Sequence, residues 1–195
     1  MEQLAIALGI LAGLVHLAGY WQYHQFISRR DNDPNAASWF MWGVGGGVEL
    51  FIYDSLVRNW AKDFLPFTCS VGALITFLRM GLRESSFRLD REDLISIAMD
   101  AGLVAFYIKS HDVVVSNWLL GLDMILSFLP ILRTTWREPA REHPQSWATW
   151  TISYTLLAIA VFLAKGVLLE LLYPVLYMVL HGTVWAFARY RTVKS

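Results

Sequence analysis

Apolar residues in this chain come in blocks of about twenty, and that spacing constrains the fold more than any other feature. A helix rises about 1.5 Å per residue, so such a block crosses about 30 Å of hydrocarbon. Seven blocks can be read: Leu4–Ile27, Ser38–Val57, Phe64–Met80, Leu94–Ile108, Val113–Leu132, Trp147–Ala164 and Val167–Ala188. The fourth is the weakest, because Asp100 interrupts it. Hydrophobic residues make up 56% of the chain and charged ones 16%, whereas a soluble domain has about a quarter charged. Seven spans leave almost nothing for a soluble domain. The expected fold class is all-α integral membrane, with seven transmembrane helices in one domain.

Charge sets an orientation. The segments after spans one, three, five and seven hold Arg29, Arg30, Arg79, Arg83, Arg88, Arg91, Arg133, Arg137, Arg141, Arg189, Arg191 and Lys194. The opposite side holds Arg58, Lys62, Lys109 and Lys165. This Lys/Arg bias places the N-terminus outside and the C-terminus in the cytoplasm, in a cell (inner) membrane. The lack of an early Lys or Arg argues against a cleaved signal peptide. The arginines are spread over four loops rather than one stripe, which fits lipid head groups and not nucleic acid.

Two pentapeptides, SWFMW at Ser38–Trp42 and SWATW at Ser146–Trp150, are 108 positions apart. The same shift, without a gap, pairs Leu11 with Leu119, Gly13 with Gly121, Leu14 with Leu122, Arg29 with Arg137, Pro66 with Pro174 and Val71 with Val179. A fixed period over that length marks a duplicated unit. It pairs span one with five, two with six and three with seven, leaving span four as a linker. The expected organisation is a triple-helix bundle over 1–90, a linker span over 91–110 and a second bundle over 111–195. Three helices joined directly to three more would insert upside down. One extra crossing restores the orientation, giving a parallel repeat about an axis along the membrane normal.

Ser38 and Ser146 are placed to N-cap spans two and six. Trp39 and Trp147 then fall at the membrane–water interface, with Trp42 and Trp150 a turn deeper. The glycines of Gly43–Gly47 lie inside a span, where they allow close helix approach. Pro66 and Pro174, near the starts of spans three and seven, and Pro130 in span five are candidate hinges.

The three-plus-one-plus-three plan with its N-terminus outside resembles the PQ-loop superfamily, which includes SWEET sugar transporters, cystinosin-like exporters and the KDEL receptor. Leu129 to Trp150, LPILRTTWREPAREHPQSWATW, looks like that family's Pro-Gln, basic loop and Ser, with Pro130 as the hinge and Ile131 in place of Gln. In the first copy Gln22 stands in the register of Pro130, and Phe67 and Val175 stand where SWEETs carry Asn. That departure points away from a sugar. PnuC-type vitamin transporters have the same helix count and are a close runner-up. The resemblance implies alternating access between two rocking bundles.

Ionisable groups inside spans are costly to bury and mark working sites. Trp42, Gly46, Glu49 and Tyr53 share one face of span two at helical spacing. They could line a cavity with Glu49 as counter-charge, or Glu49 could be a protonated carboxyl bonded to a neighbouring helix. Asp54, nearer the outer end, is expected to be solvated or paired with Arg58 one turn on. Asp123 sits mid-span in helix five and, by the repeat, at almost the depth of His16. A carboxylate and an imidazole so placed fit proton coupling, with a fixed salt bridge as the alternative. Asp100 would face helix one or a lipid-facing groove. His181, between Tyr177 and Trp185, is either a lining residue or a packing one. His16 and His24 lack the matching pattern a haem would need.

No GxSxG, HExxH, P-loop or GxGxxG is present, and the lone Cys69 offers no zinc spacing. No catalytic residue, metal or cofactor is expected. A retinal protein is excluded, since the last span has no lysine. The expectation is a membrane transporter of a small polar metabolite, a cation among the candidates and proton coupling an option. The substrate would meet Trp42, Glu49, Tyr53, Trp150 and His181, and the proton His16, Asp123 and Asp100. Partners would be that substrate and the lipid bilayer, with a homo-oligomer left open. The competing expectation is a receptor or assembly protein that binds a peptide or lipid without moving it, docking through the loop Arg79–Asp93.

Overall fold

The computed structural model describes residues 1–81, 89–110 and 112–192. It contains seven helices: α1 (Glu2–Arg29), α2 (Ala36–Val57), α3 (Trp60–Gly81), α4 (Arg91–Ser110), α5 (Val113–Arg137), α6 (Pro144–Leu163) and α7 (Leu168–Thr192). A short 3-10 turn, Pro139–Arg141, precedes α6. There is no strand among the described residues. Arg83, Arg88 and Lys194 of the charge pattern lie outside those residues, as does 82–88 of the proposed docking loop.

Seven helices match the seven apolar blocks, but only five are long and apolar enough to cross a membrane: α1, α3, α5, α6 and α7. Composition explains the other two. The glycines of Gly43–Gly47 with Glu49 and Asp54 lower the hydropathy of α2, and α4 carries Arg91, Glu92, Asp93, Asp100 and Lys109. The outer surface is apolar, as a bilayer requires: Trp21 is 66% exposed, Phe51 64% and Phe162 70%.

Helix ends are set by local chemistry. The Asn35 side chain accepts from Ser38 N–H at the start of α2, and Asp112 accepts from Val114 and Val115 N–H at the start of α5. His143 caps α6, where Pro144 fits the first turn because its missing N–H would have no partner there. Arg30, Arg58 and Lys165, at φ 66°, 45° and 56°, turn the chain out of α1, α2 and α6.

Packing follows one pattern in each half. Helix α3 lies against both α1 and α2, whose backbones do not touch; α7 lies against both α5 and α6 in the same way. The halves meet where α1 packs on α6 and α2 on α5, while α4 lies on α5 and α2. Gly43 and Gly46 make the α2–α3 contact possible. A Cβ at either would come within 3.1 Å of the Cα of Leu74 or Ser70.

Candidate functional site

Four tryptophans form a ring where the two halves meet. Trp39 and Trp42 come from α2, and Trp147 and Trp150 from α6; all four are buried. Ring centroids are 5.0 Å apart for Trp39–Trp42 and 5.1 Å for Trp147–Trp150. Across the halves they are 6.1 Å for Trp39–Trp150 and 6.3 Å for Trp42–Trp147. Tyr20 of α1, Cys69 of α3, and Tyr177 and His181 of α7 complete the walls of a cavity of about 10 Å³, room for about one water molecule. The site is shut.

This placement corrects two expectations. Trp39 and Trp147 are not interfacial, being 1% and 0% exposed. Ser38 and Ser146 are not caps, because both helices begin earlier, at Ala36 and Pro144. Both pentapeptides therefore start inside the first turn and reach the core.

Ser38 does something else instead. Pro130 lies inside α5, where a proline lacks an N–H and crowds the carbonyl four residues back. One residue on, Ile131 N–H would normally bond to Ser127 C=O. The Ser38 hydroxyl enters that gap, donating to Ser127 O at 2.7 Å and accepting from Ile131 N–H at 3.2 Å. Trp42 Nε1–H donates to Ser127 Oγ at 2.9 Å beside it. The first half lacks the proline, and Ser146 Oγ is buried with no partner. Pro66 and Pro174 also lie within their helices, α3 and α7.

The Trp42–Glu49–Tyr53 face is buried as expected, but it serves three surroundings. Trp42 faces the ring. Tyr53 lies on Tyr173, centroids 4.5 Å apart. Glu49 accepts from Tyr177 Oη at 2.6 Å and lines a second cavity of about 10 Å³ with Gly45, Ser116 and Asp123. Asp100 reaches this junction from α4, with its carboxyl in hydrogen-bonding reach of Asp123. Asp100 Oδ1 and Asp123 Oδ1 have no other partner. Asp100 thus faces α5 and α2, not α1, because α4 packs on those helices alone.

His16 and Asp123 are not brought together. Successive helix residues point about 100° apart, so Met124, the repeat partner of His16, takes the core direction and Asp123 turns to α4. His16 sits behind the ring, edge-on to Tyr20 and Tyr154 with centroids 5.2 and 5.3 Å away, and Thr68 Oγ1 lies 3.3 Å from its Nδ1. His181 Nδ1 bonds to Tyr177 O at 2.8 Å, leaving Nε2 for the cavity. Trp185 is only partly buried and packs against the core. Of the two expectations for Asp54, the solvated one holds: Asp54 is exposed beside Asp63, and Arg58 has left the helix in the left-handed conformation.

Sequence reasoning missed two ion pairs and a buried carboxyl. Lys62 pairs with Glu170 at 2.8 Å, and Arg141 with Asp33 at 2.8 Å. Each pair joins residues 108 positions apart. Opposite charges at equal repeat positions were the available signal. Glu142 lies in a polar loop, yet is 3% exposed. It accepts from Tyr23 Oη and from Trp147 Nε1, both at 3.0 Å, and Tyr23 Oη accepts from Trp39 Nε1 at 3.2 Å. Burial pushes its carboxyl up to about 8, against the lowering pull of the Trp147 and Tyr23 hydrogen bonds and of Arg141; Asp33 adds to the rise. No residue group suited to a metal occurs among the described residues.

Comparison with family models, curated proteins and solved structures finds no match to this chain.

Proposed function

We propose that the protein is a membrane transporter that moves a small polar metabolite by alternating access, using two three-helix bundles in a SWEET-like plan. The observation that carries this is the tryptophan ring: a closed chamber built from both halves, between two latches. Lys62–Glu170 joins the starts of α3 and α7, and Asp33–Arg141 the loops before α2 and α6. The near-equal ring distances within the two halves, and again across them, support a parallel repeat. A two-fold axis puts a residue close to its own counterpart only near the axis. In this reading all seven helices span, with α2 lying on α3 and α5, and α4 on α5 and α2.

Conduction requires one latch to open while the other holds. Pro130 and the Ser38 bridge supply an unequal joint, present in the second half alone. Glu49, Asp100 and Asp123 form the coupling site. Two buried carboxyls in hydrogen-bonding reach share one proton, because like charges that close cannot both ionise. Separating α4 from α5 would release it.

Reconstituted full-length protein tests this by counterflow of labelled amines, amino acids, sugars and vitamins. Saturable exchange that falls at least about tenfold in Trp150→Ala supports transport through the ring. Saturable binding without exchange would instead favour the receptor alternative.

A further inference from the structure

We infer that the tryptophan chamber takes an organic ammonium cation. This rests on the chamber being a binding site, as proposed above, and names the chemical class of its ligand.

The first argument is a census of donors. Four indole N–H groups surround the cavity, and each is already committed away from it. Trp39 donates to Tyr23 Oη, Trp42 to Ser127 Oγ, Trp147 to Glu142 and Trp150 to His16 O. The remaining lining donors are committed too. Tyr20 Oη–H goes to Cys69 O, Tyr177 Oη–H to Glu49, and His181 Nδ1–H to Tyr177 O. Only the weak Cys69 thiol is left. What faces the cavity is aromatic π surface and acceptor lone pairs, His181 Nε2 among them.

Such a lining discriminates by charge. An anion would meet no donor and would lose its hydration uncompensated. A sugar would bury hydroxyl oxygens that find no N–H or O–H to accept from. A cation is drawn to indole faces through the ring quadrupole, and more strongly when water is excluded. No lysine or arginine lines the chamber.

The second argument is what stands behind the walls. Glu49 is one hydrogen bond behind Tyr177, and Glu142 one behind Trp147. Each carboxyl accepts from the polar end of its aromatic partner, outside the chamber. The walls therefore stay apolar to touch while the electron-rich oxygens of two carboxyl groups sit just beyond them. This arrangement favours a diffuse cation over a hydrated point charge, whose tightly held water would need acceptors inside.

Binding must open the ring, since a cavity of about 10 Å³ admits no ammonium larger than a water molecule. The Trp42 bond to Ser127, next to Pro130, is the place where α2 and α5 can part without breaking either helix.

The test uses purified full-length protein and a matched pair of probes, choline and its uncharged isostere 3,3-dimethylbutan-1-ol. Thermal melting and indole emission are followed over a concentration series. The expected result is saturable stabilisation and an emission change with choline, and affinity weaker by roughly tenfold or more for the isostere. Trp150→Phe keeps a π face and should retain choline binding within about fivefold, whereas Trp150→Leu should lose roughly tenfold. Trp42→Phe and Trp42→Leu serve as a second pair should one Trp150 variant not fold. Equal affinity for the two probes overturns the inference, as does leucine serving as well as phenylalanine, or choline failing to bind. Binding of a neutral sugar that is lost in Trp150→Leu would sink the cation while leaving the chamber as a ligand site. Silence from every class of ligand would remove both.

Discussion

Ser38 and Ser146 occupy the same place in two near-identical pentapeptides, yet their hydroxyls have opposite fates. Ser38 has a donor and an acceptor on α5 beside Pro130; Ser146 has neither. Ser38→Ala should therefore lower thermal stability, by about 1 kcal/mol, while Ser146→Ala should be neutral or stabilising by up to about 1 kcal/mol. Melting the two variants side by side checks this, and a stability loss in both would refute it. Glu142 sets a second contrast at this scale. Its carboxyl is held near 8 in the fold, against about 4.3 in an unfolded chain. Between those values the folded state keeps a proton that the unfolded state has lost, so stability falls as pH rises. Glu142→Gln resembles the protonated acid and should flatten that decline between pH 5 and 8. The difference should be on the order of 1–3 kcal/mol. A pH series of melts in which the variant tracks the parent would disprove the assignment.

Among the elements, α5 carries the asymmetry. At the 108-residue offset α1 has Gln22 where α5 has Pro130, and α1 runs 28 residues without an internal proline. Pro130→Ala should restore the missing helix bond at little cost or a modest gain in stability. It should reduce exchange in proteoliposomes roughly tenfold, because the joint between α2 and α5 stiffens. Unchanged exchange would remove Pro130 as the hinge. Helix α2 shows the limit of a hydropathy argument. Its glycines and Glu49 are costly in lipid but fit well against α3 and α7, where Gly43 and Gly46 admit the α3 backbone and Tyr177 meets the acid.

Over the whole molecule, two ion pairs, Lys62–Glu170 and Asp33–Arg141, join residues 108 positions apart. Lys62 and Glu170 are the more buried pair, with side chains 9% and 13% exposed. Removing one partner leaves a poorly solvated charge, so Lys62→Ala should destabilise by about 3 kcal/mol. In the proposed parallel repeat the two positions are equivalent, and exchanging the charges by Lys62→Glu with Glu170→Lys should then recover most of that loss. A double-mutant cycle on melting temperature measures the coupling, and failure of the swap to recover stability would argue against equivalent surroundings.

Helix number and class were legible in the apolar blocks, because burying a helix in lipid demands about twenty consecutive apolar residues and tolerates few substitutes. The prolines inside spans three, five and seven were legible too, since the apolar blocks run through Pro66, Pro130 and Pro174, and helical spacing alone puts Trp42, Glu49 and Tyr53 on one face, which the fold buries. What surrounds those residues was not. Whether Asp123 meets His16 or Asp100 depends on the rotation of α5 and on which helices α4 touches, and no periodicity encodes either. Glu142 and the Lys62–Glu170 pair were hidden for the same reason. A charged residue in a polar stretch looks solvated until the fold brings a tyrosine or an opposite charge from more than a hundred positions away. Local sequence decided which segments are helices; only long-range packing decided which of their polar groups share a chamber.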